Sequence, residues 1–393
     1  MILKILLILI LAMALPDYYV YRHFLKRRGC SRLCRILWWM PSILLGLMFL
    51  PFGFINTFEP SVINFFTFYM FIFGIIVIPK VGFALFSSLG LVFCRLSHRH
   101  TNIGNVIGIL TGIYFIYIIF YGSLFGLDRL VIQHVDYSSP DLPASFDGYR
   151  IVQFSDAHVG TYTPSHVDAF NASIDSINAQ KADAIMFCGD LIDLQPSEVY
   201  PYMHKLSSLK APDGVFSIMG NHDYPMYMKS LTATQRVANL KELQHRERQF
   251  GWDLLLNENH AIHRGSDSIV IAGEENDGRP PFPALASAGE TLKDVNVRSF
   301  IIMLQHDPSA WRRQILKKTN AQLTLSGHTH AMQFEIFGWS PASFLYKEWG
   351  GMYYQGDHAI CVSKGLGGVI PFRFGAWPEI VVITLHRTNK QSR

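Results

Sequence analysis

The sequence predicts a bundle of about four transmembrane helices followed by an α/β domain. Three observations lead there. Long apolar runs dominate residues 1–126. From Arg150 onward strand-like and helix-like segments alternate, the pattern of an α/β domain. Five of the strand-like runs end on Asp, Asn or His, and side chains at the carboxyl ends of neighbouring strands converge in one crevice.

The first apolar run, Ile2–Leu15, ends at Pro16-Asp17, and Tyr18–Leu25 extends its helix, giving a span over residues 2–22. No small-residue cleavage site follows, which argues against a signal peptide. Ile36–Ile55 is a second span. Val62–Cys94 is a third, longer and interrupted by Pro79-Lys80, and Ile103–Phe125 is the fourth. About 20 apolar residues match the hydrocarbon thickness of a bilayer. Residues 1–126 hold 10 Lys and Arg against 2 Asp and Glu, a net of +8, whereas residues 127–393 hold 24 against 28, a net of −4. The basic residues gather between the first two spans (Arg22, Lys26, Arg27, Arg28, Arg32, Arg35) and between the last two (Arg95, Arg99), and the link Asn56–Pro60 has none. Basic loops stay in the cytoplasm, which puts everything after Phe125 outside. Lys4, or a re-entrant third segment, would argue for the reverse. The positive excess is thus that of membrane-proximal loops, and no nucleic-acid partner is expected. Cys30, Cys34, Cys94, Cys188 and Cys361 imply neither a disulfide framework nor a zinc ribbon.

Residues 127–148 read as a connector, punctuated by Pro140, Pro143 and Gly148, and residues 149–393 as the soluble domain. Ile151–Ser155 leads into Asp156-Ala157-His158. Pro164–Gln180 has helical spacing through Val167, Phe170, Ile174 and Ile177. Ala184–Cys188 leads into Gly189-Asp190, and a helix follows over Glu198–Leu209. Gly214–Met219 leads into Gly220-Asn221-His222-Asp223, and the charged Leu231–Phe250 reads as another helix. Trp252–Leu256, Ala261–His263 and Ser268–Ala272 look like short strands before a Gly/Pro-rich loop, Glu274–Pro283. Ser299–Gln305 leads into His306-Asp307, and Gln322–Ser326 into Gly327-His328-Thr329-His330. His358–Ser363 and Glu379–Leu385 are the last strands.

Each motif alone is weak, since an Asp after a strand is a common helix cap. Five together are not. Residues i and i+2 of a strand face one side, so Asp156 with His158, and His328 with His330, can each act as a pincer. Two divalent metals about 3.5–4 Å apart can clamp both oxygens of an in-line phosphoryl displacement. Such a pair needs a bridging carboxylate and several neutral ligands. Asp156, Asp190, Asn221, His158, His306, His328 and His330 supply that inventory. Two carboxylates, an amide and four imidazoles suit manganese, iron or zinc better than magnesium or calcium. His222 lies beside Asn221 but points elsewhere, free to meet a substrate, and Asp223 is placed to hold its ring.

The set Asp156-x-His158, Gly189-Asp190, Gly220-Asn221-His222-Asp223, His306 and Gly327-His328-Thr329-His330 resembles the calcineurin-like metallophosphoesterase superfamily over residues 149–386. Ser363–Gly368, Pro371–Phe374 and Pro378-Glu379-Ile380 resemble the C-terminal end of its membrane-attached bacterial branch, which includes YkuE-like and YaeI-like proteins. The resemblance implies two mixed β-sheets flanked by helices in a four-layer sandwich. It implies one metal on Asp156, His158, Asp190 and His330, and a second on Asp190, Asn221, His306 and His328, with Asp190 bridging. His222 would protonate the leaving group, oriented by Asp223, after attack by a hydroxide bridging the metals. The expectation is a membrane-anchored phosphodiesterase or pyrophosphatase of a bacterial inner membrane, with its catalytic domain on the extracytoplasmic side.

An aromatic segment, Phe334–Tyr354, follows the last motif. It reads either as a strand and loop over the core or as an amphipathic lip at a membrane, and the lip would favour a lipid-linked phosphoester. The competing class is a receptor or transporter with a regulatory phosphoesterase-fold domain. Its discriminating feature is charge inside the spans, where Lys80 stands out.

Overall fold

The computed structural model describes residues 2–53, 60–162 and 166–388. It divides into two compact units, Met1–Leu124 and Phe125–Arg393.

The first unit is built from α1 (Ile2–Val20), α2 (Arg32–Phe49), α3 (Pro60–Ser97) and α4 (Gly104–Phe125). Among the described residues, Arg32–Phe49, Val62–Ser97 and Gly104–Asp128 are long and apolar enough to cross a membrane. α1 runs through Pro16, as the expected span over residues 2–22 requires, and α3 runs unbroken through Pro79. Membrane helices tolerate proline because their neighbours satisfy the freed backbone. The expected link Asn56–Pro60 lies outside the described residues, except for Pro60 at the head of α3. Lys80 is not a lone charge. Its Nζ lies 2.8 Å from Oδ1 of the fully buried Asp17 and 4.7 Å from the centre of the Trp38 ring.

The second unit holds β1 (Val131–Ser139), β2 (Arg150–Phe154), β3 (Ala184–Phe187), β4 (Val215–Ser217) and β5 (Asp253–Leu254). After them come β6 (Glu258–Arg264), β7 (Asp267–Gly273), β8 (Phe300–Leu304) and β9 (Leu323–Ser326). β10 (Gly351–Gln355), β11 (His358–Val362) and β12 (Glu379–Arg387) complete the set. They form two mixed six-stranded sheets, ordered β1-β12-β2-β3-β4-β5 and β10-β11-β9-β8-β7-β6. Ile151, Met186 and Phe216 meet Ile271, Ile302 and Leu325 in the core between the sheets. The alternate residues Val152, Ile185 and Phe187 pack outward under Phe170 and Ile174 of α5 (Val167–Ala179). Trp311 and Ile315 cover Val270, Ile301 and Met303 on the far face of the second sheet. Burial on both faces is why β2 and β3 are so apolar. The layering is the four-layer sandwich the resemblance implies.

Two expectations change. The supposed connector contains β1, which pairs in parallel with β12 from Val131↔Glu379 to Ser139↔Arg387. Its exposed Gln133, His134 and Asp136 disguise an edge strand. The helix expected at Glu198–Leu209 is a 3-10 stretch, Pro196–Tyr202, followed by the single turn α6 (Met203–Leu206). Pro201 has no N–H to continue an α-helix. By contrast α7 (Ala233–Gln249) forms where its pattern predicts, started by a capping box in which Thr232 and Gln235 bond each other's backbone N–H.

Candidate metal centre

β2, β3 and β4 run parallel, as do β8 and β9, and the loops beyond their carboxyl ends meet. Asp156, His158, Asp190, His328 and His330 all take left-handed backbone, with φ of 49°, 43°, 60°, 74° and 49°. Asp and His visit this region more readily than most residues, but it still costs roughly 1–3 kcal/mol each. The pincers are therefore made by left-handed turns past the strand ends, not by strand alternation. Two glycines let the loops touch. A Cβ on Gly220 would sit 2.2 Å from Asp190 Oδ1, and one on Gly327 would sit 2.3 Å from Asp156 Oδ2.

Two groups of ligand atoms result, each lying within 4.8 Å of one another: Asp156, His158, Asp190 and His330, then Asp190, His306 and His328. Asp190 is common to both. Its Oδ2 lies 3.6 Å from His158 Nε2 and 3.1 Å from His306 Nε2. Asn221 borders the second group, its Nδ2 donating to Tyr227 Oη at 2.7 Å. Its Oδ1 is buried without a hydrogen-bond partner among the described residues, as are His158 Nε2 and His306 Nε2. Buried polar atoms are rarely left so. An electron-pair acceptor at the shared carboxylate would satisfy both imidazole nitrogens, so the residues present fit a divalent metal pair.

The outer nitrogens fix the ring orientations. His158 Nδ1 faces Asp193 Oδ1 at 2.8 Å, and His306 Nδ1 donates to the Cys188 carbonyl at 2.7 Å. His328 Nε2 lies 2.8 Å from Tyr346 Oη. His330 Nδ1 is 3.4 Å from the buried guanidinium of Arg373, which also donates to the Lys364, Gly367 and Ala376 carbonyls.

His222 stands one ring from the cluster, its centroid 4.9 Å from that of His158 and stacked on Tyr227 at 4.3 Å. Its Nδ1 donates to the Asp193 carbonyl at 2.9 Å. Asp223 does not hold this ring, contrary to the expectation. Its carboxylate accepts the backbone N–H groups of Asp190, Leu191, Ile192 and Gly220, and so clamps the loops after β3 and β4 together.

Burial opposes charge on Asp190, but the imidazoles of His306, His222 and His158 outweigh it and hold this carboxyl well below the usual range. Burial likewise opposes charge on His158 and His306, yet Asp193 lifts the first to about 9 and Asp190 lifts the second to about 10. Burial pulls His328 down to about 4 and lowers His222. Positive charge is thus favoured on the two imidazoles that face Asp190, where a cation would sit.

The chain is 33% identical over 287 residues to metallophosphoesterase YkuE of Bacillus subtilis, an alignment covering 68% of this chain and 91% of that one. The chain belongs to the calcineurin-like metallophosphoesterases. The calcineurin-like phosphoesterase profile matches residues 149–332, and residues 3–127 match a second one described as "Probable Calcineurin-like phosphoesterase, transmembrane domain". It is 29% identical over 276 residues to a zebrafish (Danio rerio) transmembrane protein with metallophosphoesterase domain, covering 67% of this chain and 59% of that one. It is 25% identical over 303 residues to UDP-2,3-diacylglucosamine pyrophosphatase LpxG of Chlamydia muridarum, covering 65% and 88%.

Sequence reasoning missed several residues of this metallophosphoesterase's centre: Asp193, Tyr227, Phe282, Tyr346 and Arg373. Arg373 lies within Pro371–Phe374, one of the segments that carry the resemblance, and Asp193 lies three residues after Asp190. Tyr346 lies within the aromatic segment Phe334–Tyr354 and Phe282 within the loop Glu274–Pro283, where neither was tied to the centre, and Tyr227 comes from a loop with no local signal.

Proposed function

We propose that this membrane protein hydrolyses phosphodiester or pyrophosphate bonds of a lipid-type substrate at a two-metal centre. The carrying observation is the pair of ligand groups sharing Asp190, with the buried Nε2 atoms of His158 and His306 lying 3.6 and 3.1 Å from its Oδ2. In this reading Asp156, His158, Asp190 and His330 hold one ion, and Asp190, Asn221, His306 and His328 the other. Bound divalent metals supply Lewis acidity and activate water as a nucleophile. The protein's own contribution is geometric and protonic. Asp223 locks the loops that carry Asp190 and Asn221. The Asp193 carbonyl fixes His222 with Nε2 free to handle a proton at the leaving oxygen. A phosphoryl anion beside His222 would favour its charged form, offsetting burial.

The lipid reading is supported by the transmembrane region and by the likeness to a relative named as a lipid pyrophosphatase. The distribution of basic residues supports a catalytic unit on the extracytoplasmic face of a bacterial inner membrane. The test is hydrolysis by the full-length protein, loaded with manganese, iron or zinc, of matched phosphomonoesters, diesters and pyrophosphates, lipid-linked and soluble. Metal-dependent turnover of a diester or pyrophosphate is expected. Preference for monoesters, or activity indifferent to chelators, would overturn the reading.

A further inference from the structure

The catalytic unit carries an apolar face that its own core does not use. Among the described residues after Phe125, eleven large apolar side chains are exposed, and five of them fall in one short stretch: Met332, Phe337, Trp339, Phe344 and Leu345. Phe337 is 101% exposed at the tip of a tight turn, closed by Ile336 and Trp339, whose N–H groups each donate to the other's carbonyl at 2.9 and 3.0 Å. Phe337 and Gly338 both hold positive φ, 51° and 76°. A bulky side chain is disfavoured there, where Asn or Gly would suit the turn. A wholly exposed phenyl ring in that conformation gains nothing from the fold of its own unit.

The stretch adjoins the metal centre. Tyr346, next after Leu345, is the residue whose hydroxyl lies against His328. Phe282, from the facing loop, packs edge-on against the same imidazole at 5.1 Å. The free charge around this face is positive. Arg279 and Lys347 are exposed with no ion-pair partner among the described residues, whereas the acidic residue of the stretch, Glu335, is paired with Lys364 at 2.8 Å. Aromatic tips flanked by exposed cations suit an anionic lipid surface. Within this unit the turn lies near the chain's exit from α4, since Gly126 packs on the Arg373 backbone and Phe374 bridges Phe334, its carbonyl accepting the Glu335 N–H at the base of the turn.

We infer that the turn at Phe337 inserts with Trp339 and Phe344 into an anionic lipid surface, so that a lipid's phosphoester reaches the metal centre past Tyr346. Only its consequence for the substrate rests on the lipid reading above. The test uses the full chain in nanodiscs containing phosphatidylglycerol, in a background with Cys30, Cys34 and Cys94 changed to Ser. An environment-sensitive fluorophore is placed at Phe337→Cys, with Val297→Cys, itself 81% exposed, as the aqueous reference. Blue-shifted emission at 337, quenched by nitroxide-labelled lipid, is the expected result. Emission at 337 like that at 297 would overturn the proposal, and a blue shift without lipid quenching would overturn it in favour of protein burial. Phe337→Asn, which suits the backbone, should slow hydrolysis of a lipid substrate roughly tenfold and leave its soluble analogue unaffected. Lipid quenching without any lipid hydrolysis would keep the docking surface and discard the lipid substrate.

Discussion

Asp193 touches two histidines at once. Its carboxylate holds His158 and its carbonyl holds His222, so one residue orients both the ring assigned to a metal and the ring assigned to the substrate in the proposed function. The two roles separate by substitution. Asp193→Asn keeps the backbone carbonyl but weakens the partner of His158, and should lower metal affinity roughly 10- to 100-fold with His222 still in place. His222→Ala should leave metal content unchanged and reduce kcat by about 10²- to 10⁴-fold. Metal analysis beside steady-state kinetics checks both. Loss of metal in His222→Ala would mean that this histidine belongs to the ligand set.

At the scale of elements, α7 buries Glu247 completely, beneath the loop of Asp223. Burial raises this carboxyl well above its ordinary value, the Asp223 charge adds to the rise, and the Ser217 hydroxyl offsets part of it. A carboxyl whose folded pKa is raised stays protonated in the native state where the unfolded chain has already ionised. The native state then loses stability as pH climbs from about 4.5 toward the raised value, and the loss levels off beyond it. Glu247→Gln removes that slope. The variant should melt higher than wild type, by a margin that widens between pH 5 and pH 8, as followed by thermal unfolding. An equal margin at all pH values would show that Glu247 ionises normally. The elements themselves were largely legible, because β2, β3, β8 and β9 read as short, largely apolar runs, α5 carries a helical spacing and α7 a long charged stretch. The loops were legible as chemistry but not as geometry. Nothing in Asp156-Ala157-His158 announces left-handed backbone, and nothing local tells Asp223 to cap four amides instead of a neighbouring ring. β1 was hidden because an edge strand with a solvated face loses the apolar signal on which the reading depends.

Over the whole molecule, the composition split between residues 1–126 and the rest anticipates the two units. The Asp17–Lys80 pair was only half legible, since Lys80 stands out in its span but nothing local links it to Asp17, 63 residues earlier. Pairing lowers the cost of holding either charge within the spans. Sidedness is the expectation that belongs to this scale. With both basic loops inside, a reporter active only outside the cytoplasm, fused after Arg393, should be active, and its cytoplasmic counterpart silent. The opposite pattern would place the catalytic unit in the cytoplasm and remove extracytoplasmic lipids from its reach.

Everything in the functional reading passes through one carboxylate, and metal stoichiometry tests it most directly. Wild-type chain equilibrated with manganese and then freed of excess should retain about two ions per chain. Asp190→Asn, folded to the same extent, should lose most of this binding, because each ligand group is deprived of the oxygen they share. Retention of two ions by Asp190→Asn, or of none by the wild type, would contradict a shared metal centre at Asp190.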